Sequence, residues 1–218
     1  MLRSPGRVRG LLRQLPTFDT CRCISSSQAV SAAFGSTLPS PSKLEAIVNM
    51  DKMLQRTPEQ IGTLWQEHHA KDQNAAVLGS TEWKAYQARA KACPNFVIPL
   101  RKPQGGYLTV VLQQQLPIVI FTTLQEFYSL KDQAPPHLAI THYTELLEDK
   151  GIVLAKADAI SPHLISVAEA RTLMTLMYAF YSDPVSFLHV HNFNHNPAQF
   201  SFAELAKELG IGTDTPAL

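Results

Sequence analysis

THYTELLEDKGIVLAKA, residues Thr141 to Ala157, holds a strand end, a short helix and a second strand in one compressed stretch. Thr144 is placed to cap the helix, Glu145 makes its first turn acidic, and Leu146 and Leu147 dock it. Lys150-Gly151 ends it with a cation and a residue free to turn left-handed. Ile152-Val153-Leu154-Ala155 then runs apolar without alternation, which predicts a strand covered on both faces.

Downstream of this stretch, Ser161-Pro162 and Ser166 lead into the strongest helical pattern of the chain. Val167, Ala170, Met174, Met177 and Tyr181 form one stripe that Leu173, Leu176 and Phe180 widen, a face broad enough for a sheet. Asp183-Pro184 ends that helix. Val185 to Phe193 is expected as the last strand, and Asn196-Pro197 as the cap and first residue of a final helix carrying Phe200, Leu205 and Leu209.

Upstream, Phe96-Val97-Ile98 and Tyr107 to Leu112 flank Pro103-Gln-Gly-Gly106, a hairpin, and Ile118 to Thr123 follows closely as a third strand. Such short connections require antiparallel pairing. His137 to His142 returns as a strand after Pro135-Pro136 breaks a short helix over Leu124 to Leu130, while Ala75 to Gly79 is too short for its pattern to decide. Two helices precede it: one from Lys43 with Leu44, Ile47, Val48 and Leu54 on a face, the other opened by the capping box Thr57-Pro58-Glu59-Gln60. The expected fold is α+β, a single domain over residues 41–218 with one mostly antiparallel sheet of about five to seven strands packed by helices.

Residues 1–40 differ in composition. They carry five arginines against Asp19 alone, a net of +4, with Leu2, Leu11, Leu12 and Leu15 interspersed, so the remainder of the chain carries −3. A basic, acid-poor, Ser-rich leader with scattered leucines is the composition of a mitochondrial transit peptide, with Arg22-Cys23-Ile24-Ser25 a plausible processing site. A mildly acidic body has no basic stripe for nucleic acid. No run approaches the length of a membrane-spanning helix, so no membrane insertion is expected. Cys93 is alone in the body, which fits a reducing compartment.

The chemistry-bearing patterns are few. His189, His191 and His195 make the best metal-type cluster, and in a strand His189 and His191 would share a face; they supply the alternative reading, a small metal-dependent matrix enzyme. Neither a Cys-x-x-Cys nor a His-Glu-x-x-His accompanies them, and no phosphate loop or nucleophile elbow occurs, so no catalytic residue, cofactor or small-molecule substrate is expected. Candidate partner-binding residues are Trp65, beside the adaptable Met50 and Met53, and Phe193, Asn194, Pro197 and Phe200, aromatic anchors around an Asn-rich turn. The plainer reading of these is that the first group covers the sheet and the second is a helix cap.

The opening stretch, with its His-Tyr before the helix and Lys-Gly-Ile-Val-Leu after it, resembles the mitochondrial F1-ATPase assembly factor 1 family. The same order continues in Thr57-Pro-Glu-Gln-Ile61 with Trp65 and His68-His69, Arg89-Ala-Lys-Ala-Cys93-Pro94, Pro135-Pro136-His137-Leu138, Val167-Ala168-Glu169-Ala170, and Phe193-Asn194 with Pro197 and Phe200. The resemblance spans roughly residues 43–209. It implies a non-enzymatic chaperone of the mitochondrial matrix that binds the unassembled β subunit of F1 ATP synthase, prevents its aggregation and releases it to the α subunit.

Overall fold

A computed structural model of the chain describes residues 43–212. Six strands form one sheet in the order β1-β6-β5-β4-β3-β2, antiparallel at every pairing. They are β1 (Ala75–Gly79), β2 (Asn95–Arg101), β3 (Tyr107–Gln115), β4 (Ile118–Thr123), β5 (Leu138–Tyr143) and β6 (Ile152–Ala159). The expected hairpin and meander are β2, β3 and β4, with Gly105 and Gly106 both at positive φ in the first turn, where a side chain would be strained. The stretch Ala75 to Gly79 is a strand, and it takes the outermost position beside β6.

The opening stretch folds as a strand, a helical turn and an interior strand, with its short helix trimmed. Helix α5 (Leu147–Lys150) begins after Leu146, so Thr144 is not its cap; the Thr144 carbonyl instead accepts from Leu147 N–H at 3.0 Å. Gly151 ends the helix at φ 67°, the left-handed stop its position predicts.

The remaining helices are α1 (Met50–Leu54), α2 (Pro58–His68), α3 (Ser80–Ala92), α4 (Leu124–Leu130), α6 (Val167–Ser182), α7 (Phe187–His195) and α8 (Phe202–Glu208). At the start of α2 the Thr57 hydroxyl accepts from Gln60 N–H while the Gln60 side chain accepts from Thr57 N–H, and Ser166 and Glu169 make the same reciprocal pair before α6. The single helix expected from Lys43 is two pieces, a 3-10 turn at Leu44–Ala46 and the five-residue α1 capped by Asn49.

Two cores result. On one face of the sheet α3, α6 and α7 bury Trp83, Tyr86, Leu173, Met177, Phe180 and Val190 against strand residues such as Phe96, Leu112, Phe121 and Ile140. Full burial of each such side chain contributes roughly 1.5–3 kcal/mol. On the other face a smaller core of Leu44, Met53, Ile61, Trp65, Tyr143 and Leu154 lies beneath α1 and α2.

The segment expected as a last strand, Val185 to Phe193, is helix α7 instead. Its β-branched and aromatic composition suggested extension, yet Phe187, Val190 and Phe193 recur at helical spacing, and the latter two are buried. The helix after it also starts later than expected. Asn196 makes no side-chain cap, Pro197–Gln199 is an isolated 3-10 turn, and α8 is capped by Ser201, whose hydroxyl accepts from Glu204 N–H at 3.2 Å.

Candidate functional site

The five candidate contact residues are turned largely inward. Trp65 is fully buried, its indole N–H donating to the Ala155 carbonyl at 3.1 Å and its ring edge-on to Tyr143, so it joins α2 to β6 and presents no surface. Phe193 is buried against Phe96 and Phe200, with ring centroids 5.9 and 5.1 Å away, and Phe200 is half-buried. Pro197 is exposed.

Asn194 has a defined structural task. Its side-chain carbonyl accepts from Asn95 N–H at 3.2 Å, and its amide donates to the Asn95 carbonyl at 2.6 Å and to the Val190 carbonyl at 2.8 Å. One side chain thereby satisfies both backbone groups that the first residue of β2 turns away from the sheet. It acts as a one-residue substitute for a neighbouring strand.

On helix α7 His189 and His191, two residues apart, lie on different faces, whereas His191 and His195, four apart, share one. His189 pairs with Glu208 at 2.9 Å; His195 donates to the Ala92 carbonyl at 2.9 Å and its ring lies 5.0 Å from that of His191. Among the described residues no group of three or more His, Cys, Asp or Glu is arranged to hold a metal ion.

A fourth histidine is the most perturbed. His142, on β5, accepts burial almost complete and is pushed down to about 4 by loss of solvation. Its Nδ1–H donates to the Pro117 carbonyl at 3.0 Å, which leaves Nε2 to accept from the Tyr178 hydroxyl at 2.9 Å. Trp83 and Tyr86 pack beside it with tilted rings, centroids 4.9 and 5.5 Å away. The Tyr86 hydroxyl donates to Gln114 at 2.9 Å, and that of Tyr181 to the Cys93 carbonyl at 2.7 Å. The ring is sealed and internally paired, a joint between sheet and helices rather than an acid-base group.

Two other buried polar groups tie loops to the frame. Lys102 Nζ lies 2.6 Å from Glu169 and donates to the Leu164 carbonyl at 2.6 Å. Burial pushes the Glu169 carboxyl up, but hydrogen bonds from Lys102 and Ser166 outweigh it and hold the group below its ordinary range. His137 meets Glu126 at one ring nitrogen and Ser161 at the other.

What the molecule offers to a partner lies at the sheet margin. Asn74, directly before β1, accepts at its carbonyl from Ala157 N–H at 2.8 Å, which sets Ala76 and Leu78 to bond β6 and turns the backbone groups of Ala75, Val77 and Gly79 outward. The Glu82 carboxylate accepts from Gly79 N–H at 2.9 Å. No hydrogen bond from the described residues reaches the outward N–H and C=O of Ala75 and Val77.

At the start of this edge lies a cavity of about 330 Å³ lined by His69, Asp72, Asn74, Lys156, Asp158 and Ala159, among others. Asn74 is 7% exposed; its amide donates to the Ala157 carbonyl at 2.7 Å, while its Oδ1 has no hydrogen-bond partner among the described residues. His69 Nε2 is likewise unpartnered, and burial, with His68 and Lys156 nearby, lowers the basicity of that ring. Lys156 and Asp158 pair at 2.6 Å. A second hollow of about 280 Å³ lies between α1 and α2, where Val48, Met53 and Leu64 meet Lys52, Arg56 and His68. The most exposed large apolar side chains are Val185 and Leu188, at the start of α7. Sequence reading left β1 undecided; the signal available there was an uncharged five-residue run just before a helix start.

Comparison with known proteins places these features in context. Residues 23–206 match the profile of the family described as ATP11 protein, beginning within the segment expected to be a leader. The chain is 33% identical over 176 residues to ATP synthase mitochondrial F1 complex assembly factor 1 of Danio rerio, covering 78% of this chain and 57% of that protein. The Homo sapiens protein of the same name is 32% identical over 177 residues, 78% of this chain and 53% of the relative. Protein atp11, mitochondrial, of Schizosaccharomyces pombe is 25% identical over 147 residues, 65% and 51% of the two chains. The chain thus spans little more than half the length of the curated relatives it matches.

Proposed function

The chain belongs to the ATP11 protein family, and from that premise we propose that it is an assembly chaperone of mitochondrial F1 ATP synthase that acts in the matrix on the unassembled β subunit. The observation that carries this reading is the similarity to relatives named as F1 complex assembly factors over 78% of the chain. Two observations support a binding role: the most perturbed histidine, His142, is internally paired, and two buried polar atoms without partners among the described residues, His69 Nε2 and Asn74 Oδ1, belong to a cavity beside a strand edge. Residues 1–40, which lie outside the described residues, serve in this reading as the import signal, and the folded body as the chaperone.

The physical demand on such a protein is to cover apolar surface on free β that the α subunit later occupies, since exposed patches of that kind aggregate. It must also let go. An interface smaller than the α contact, overlapping it, makes displacement by α downhill. The test is coexpression of this chain with isolated F1 β subunit, followed by size exclusion and addition of α. Soluble β that comigrates with the chain and separates when α is added is the expected result. If β precipitates as it does beside an unrelated folded protein, the client assignment is wrong; if the pair forms but α cannot separate it, the displacement mechanism is wrong.

A further inference from the structure

We propose that the outward edge of β1, together with the cavity at its start, is the docking site for an extended segment of the unassembled client subunit, one that sets a basic side chain into the cavity lined by Asp72 and Asp158. The proposal rests on the chaperone reading for the identity of the client, and on the fold for the place.

The backbone makes the first part of the argument. Ala75 and Val77 each turn an N–H and a C=O away from the sheet, two residues apart and therefore about 6.8 Å apart along the strand. That spacing fits the inward-facing groups of one added strand, the pairing by which sheet edges recognise extended peptides. The opposite margin is closed to it. β2 presents Asn95, Val97 and Pro99 outward; Asn194 occupies the groups of Asn95, Pro99 has no N–H to give, and α7 packs across the strand with Val97 buried.

The cavity makes the second part, through charge. Of its charged lining groups, Lys156 is already matched by Asp158 at 2.6 Å, whereas Asp72 has no ion pair among the described residues. The buried Asn74, directly before β1, adds an acceptor oxygen without a donor. An unmatched carboxylate and an unmatched amide oxygen ask for a group that donates several hydrogen bonds and carries positive charge. A guanidinium or ammonium on the added strand meets both conditions. Small side chains at Ala157, Ala159 and Ala170 leave room for its stem.

The experiment titrates the full chain with isolated F1 β subunit and compares three variants whose folding is checked by thermal melts. Val77→Pro removes an outward donor and obstructs the edge; it is expected to weaken binding at least about tenfold. Asp72→Lys, which reverses the charge at the cavity, is expected to weaken it roughly fivefold or more. Leu188→Asp, on the exposed start of α7, should stay within about twofold of the parent. Hydrogen exchange on the unmodified complex supplies a readout independent of any variant: the Ala75 and Val77 amides should slow on binding while Asn95 and Val97 do not. Parent-like binding by Val77→Pro, or unchanged exchange at Ala75 and Val77 in the complex, overturns the docking site while leaving the client in place. If the unmodified chain does not bind β at all, both the client assignment and this docking proposal fall.

Discussion

At one margin of the sheet β2 is obstructed: Asn194 fills the outward positions of Asn95, α7 packs across the strand with Val97 buried, Pro99 has no N–H, and the Arg101 side chain reaches the Gly210 carbonyl. At the other, the outward backbone groups of Ala75 and Val77 on β1 meet no partner among the described residues and lie beside a polar cavity. Both are edge strands of one sheet, so intrinsic strand chemistry cannot be the cause of the difference. What separates them is the packing around each: α7 folds across β2, whereas α2 and α3 flank β1 through its two faces and leave its rim. Closing one edge protects a monomeric fold from strand addition, and leaving one open gives strand addition a single address.

The comparison is broken most forcefully by removing the cover of β2. Phe193→Ala deletes a ring packed on Phe96 and Phe200, and such a truncation in a core costs about 3–5 kcal/mol. A chemical denaturation curve should show a loss of that size, together with faster hydrogen exchange at Asn95 and Val97. If stability falls but β2 exchange is unchanged, α7 is a stabilising element without being the lid of that edge.

Between the two edges, His142 gives an internal reference that depends on pH. The unfolded chain takes up a proton on this ring below its ordinary value of 6.5, while the folded chain does so only near 4. Across that window the unfolded state binds more protons, so stability falls as pH falls. The expected loss is about 1.4 kcal/mol per pH unit, or roughly 3 kcal/mol from pH 6.5 to 4. Because β5 is interior, both margins should lose protection together. A denaturation series in which His142→Gln retains the full slope would assign the pH dependence to other groups, His69 first among them.

Asn194→Ala comes next. Three hydrogen bonds to the backbone of Asn95 and Val190 are lost and an edge strand regains unpaired groups at its partly buried start, which predicts a loss of about 2–3 kcal/mol. The variant should also make the two margins more alike. Greater self-association than the parent, seen in the concentration dependence of light scattering, would mark β2 as a second open edge; unchanged association would mean that Pro99 and α7 suffice to close it.

How much of this was legible in the residues follows from the range of each interaction. The capping box at Thr57, the Gly151 stop and the β2–β3–β4 meander rest on contacts a few residues apart, and the structure has them where the pattern puts them; the reciprocal pair of Ser166 and Glu169 is an equally local signal. In helix α7 the preference of Phe187 and Val190 for extension by type competes with the helical spacing of Phe187, Val190 and Phe193, and packing on β2, nearly a hundred residues away, decides for the helix. The same distance hides the task of Asn194, which lies in an Asn-rich turn where Asn196 is the expected cap, and that of Trp65, whose indole is spent on Ala155. Which strand lies outermost is likewise a property of the whole sheet. A five-residue apolar run reads the same in the middle as at the rim.

The smallest effect expected on stability is the one that sharpens the comparison most. Val77→Pro places a ring where the backbone N–H has no partner among the described residues, so no rung of the β1–β6 ladder is lost; the rungs to β6 come from Asn74, Ala76 and Leu78. The side chain is half-buried against Gly62 of α2, and exchanging its branched methyls for a ring gives up part of that contact. Together these predict a loss of no more than about 1 kcal/mol, against the larger loss at Asn194 on the opposite margin. Urea denaturation of the two variants side by side checks the ordering. A loss for Val77→Pro as large as that for Asn194→Ala would mean that the outward groups of β1 are already paired in the free chain, and the asymmetry of the two edges would be gone. A small loss, with binding to the client removed, would separate what the β1 rim does for the fold from what it does for a partner.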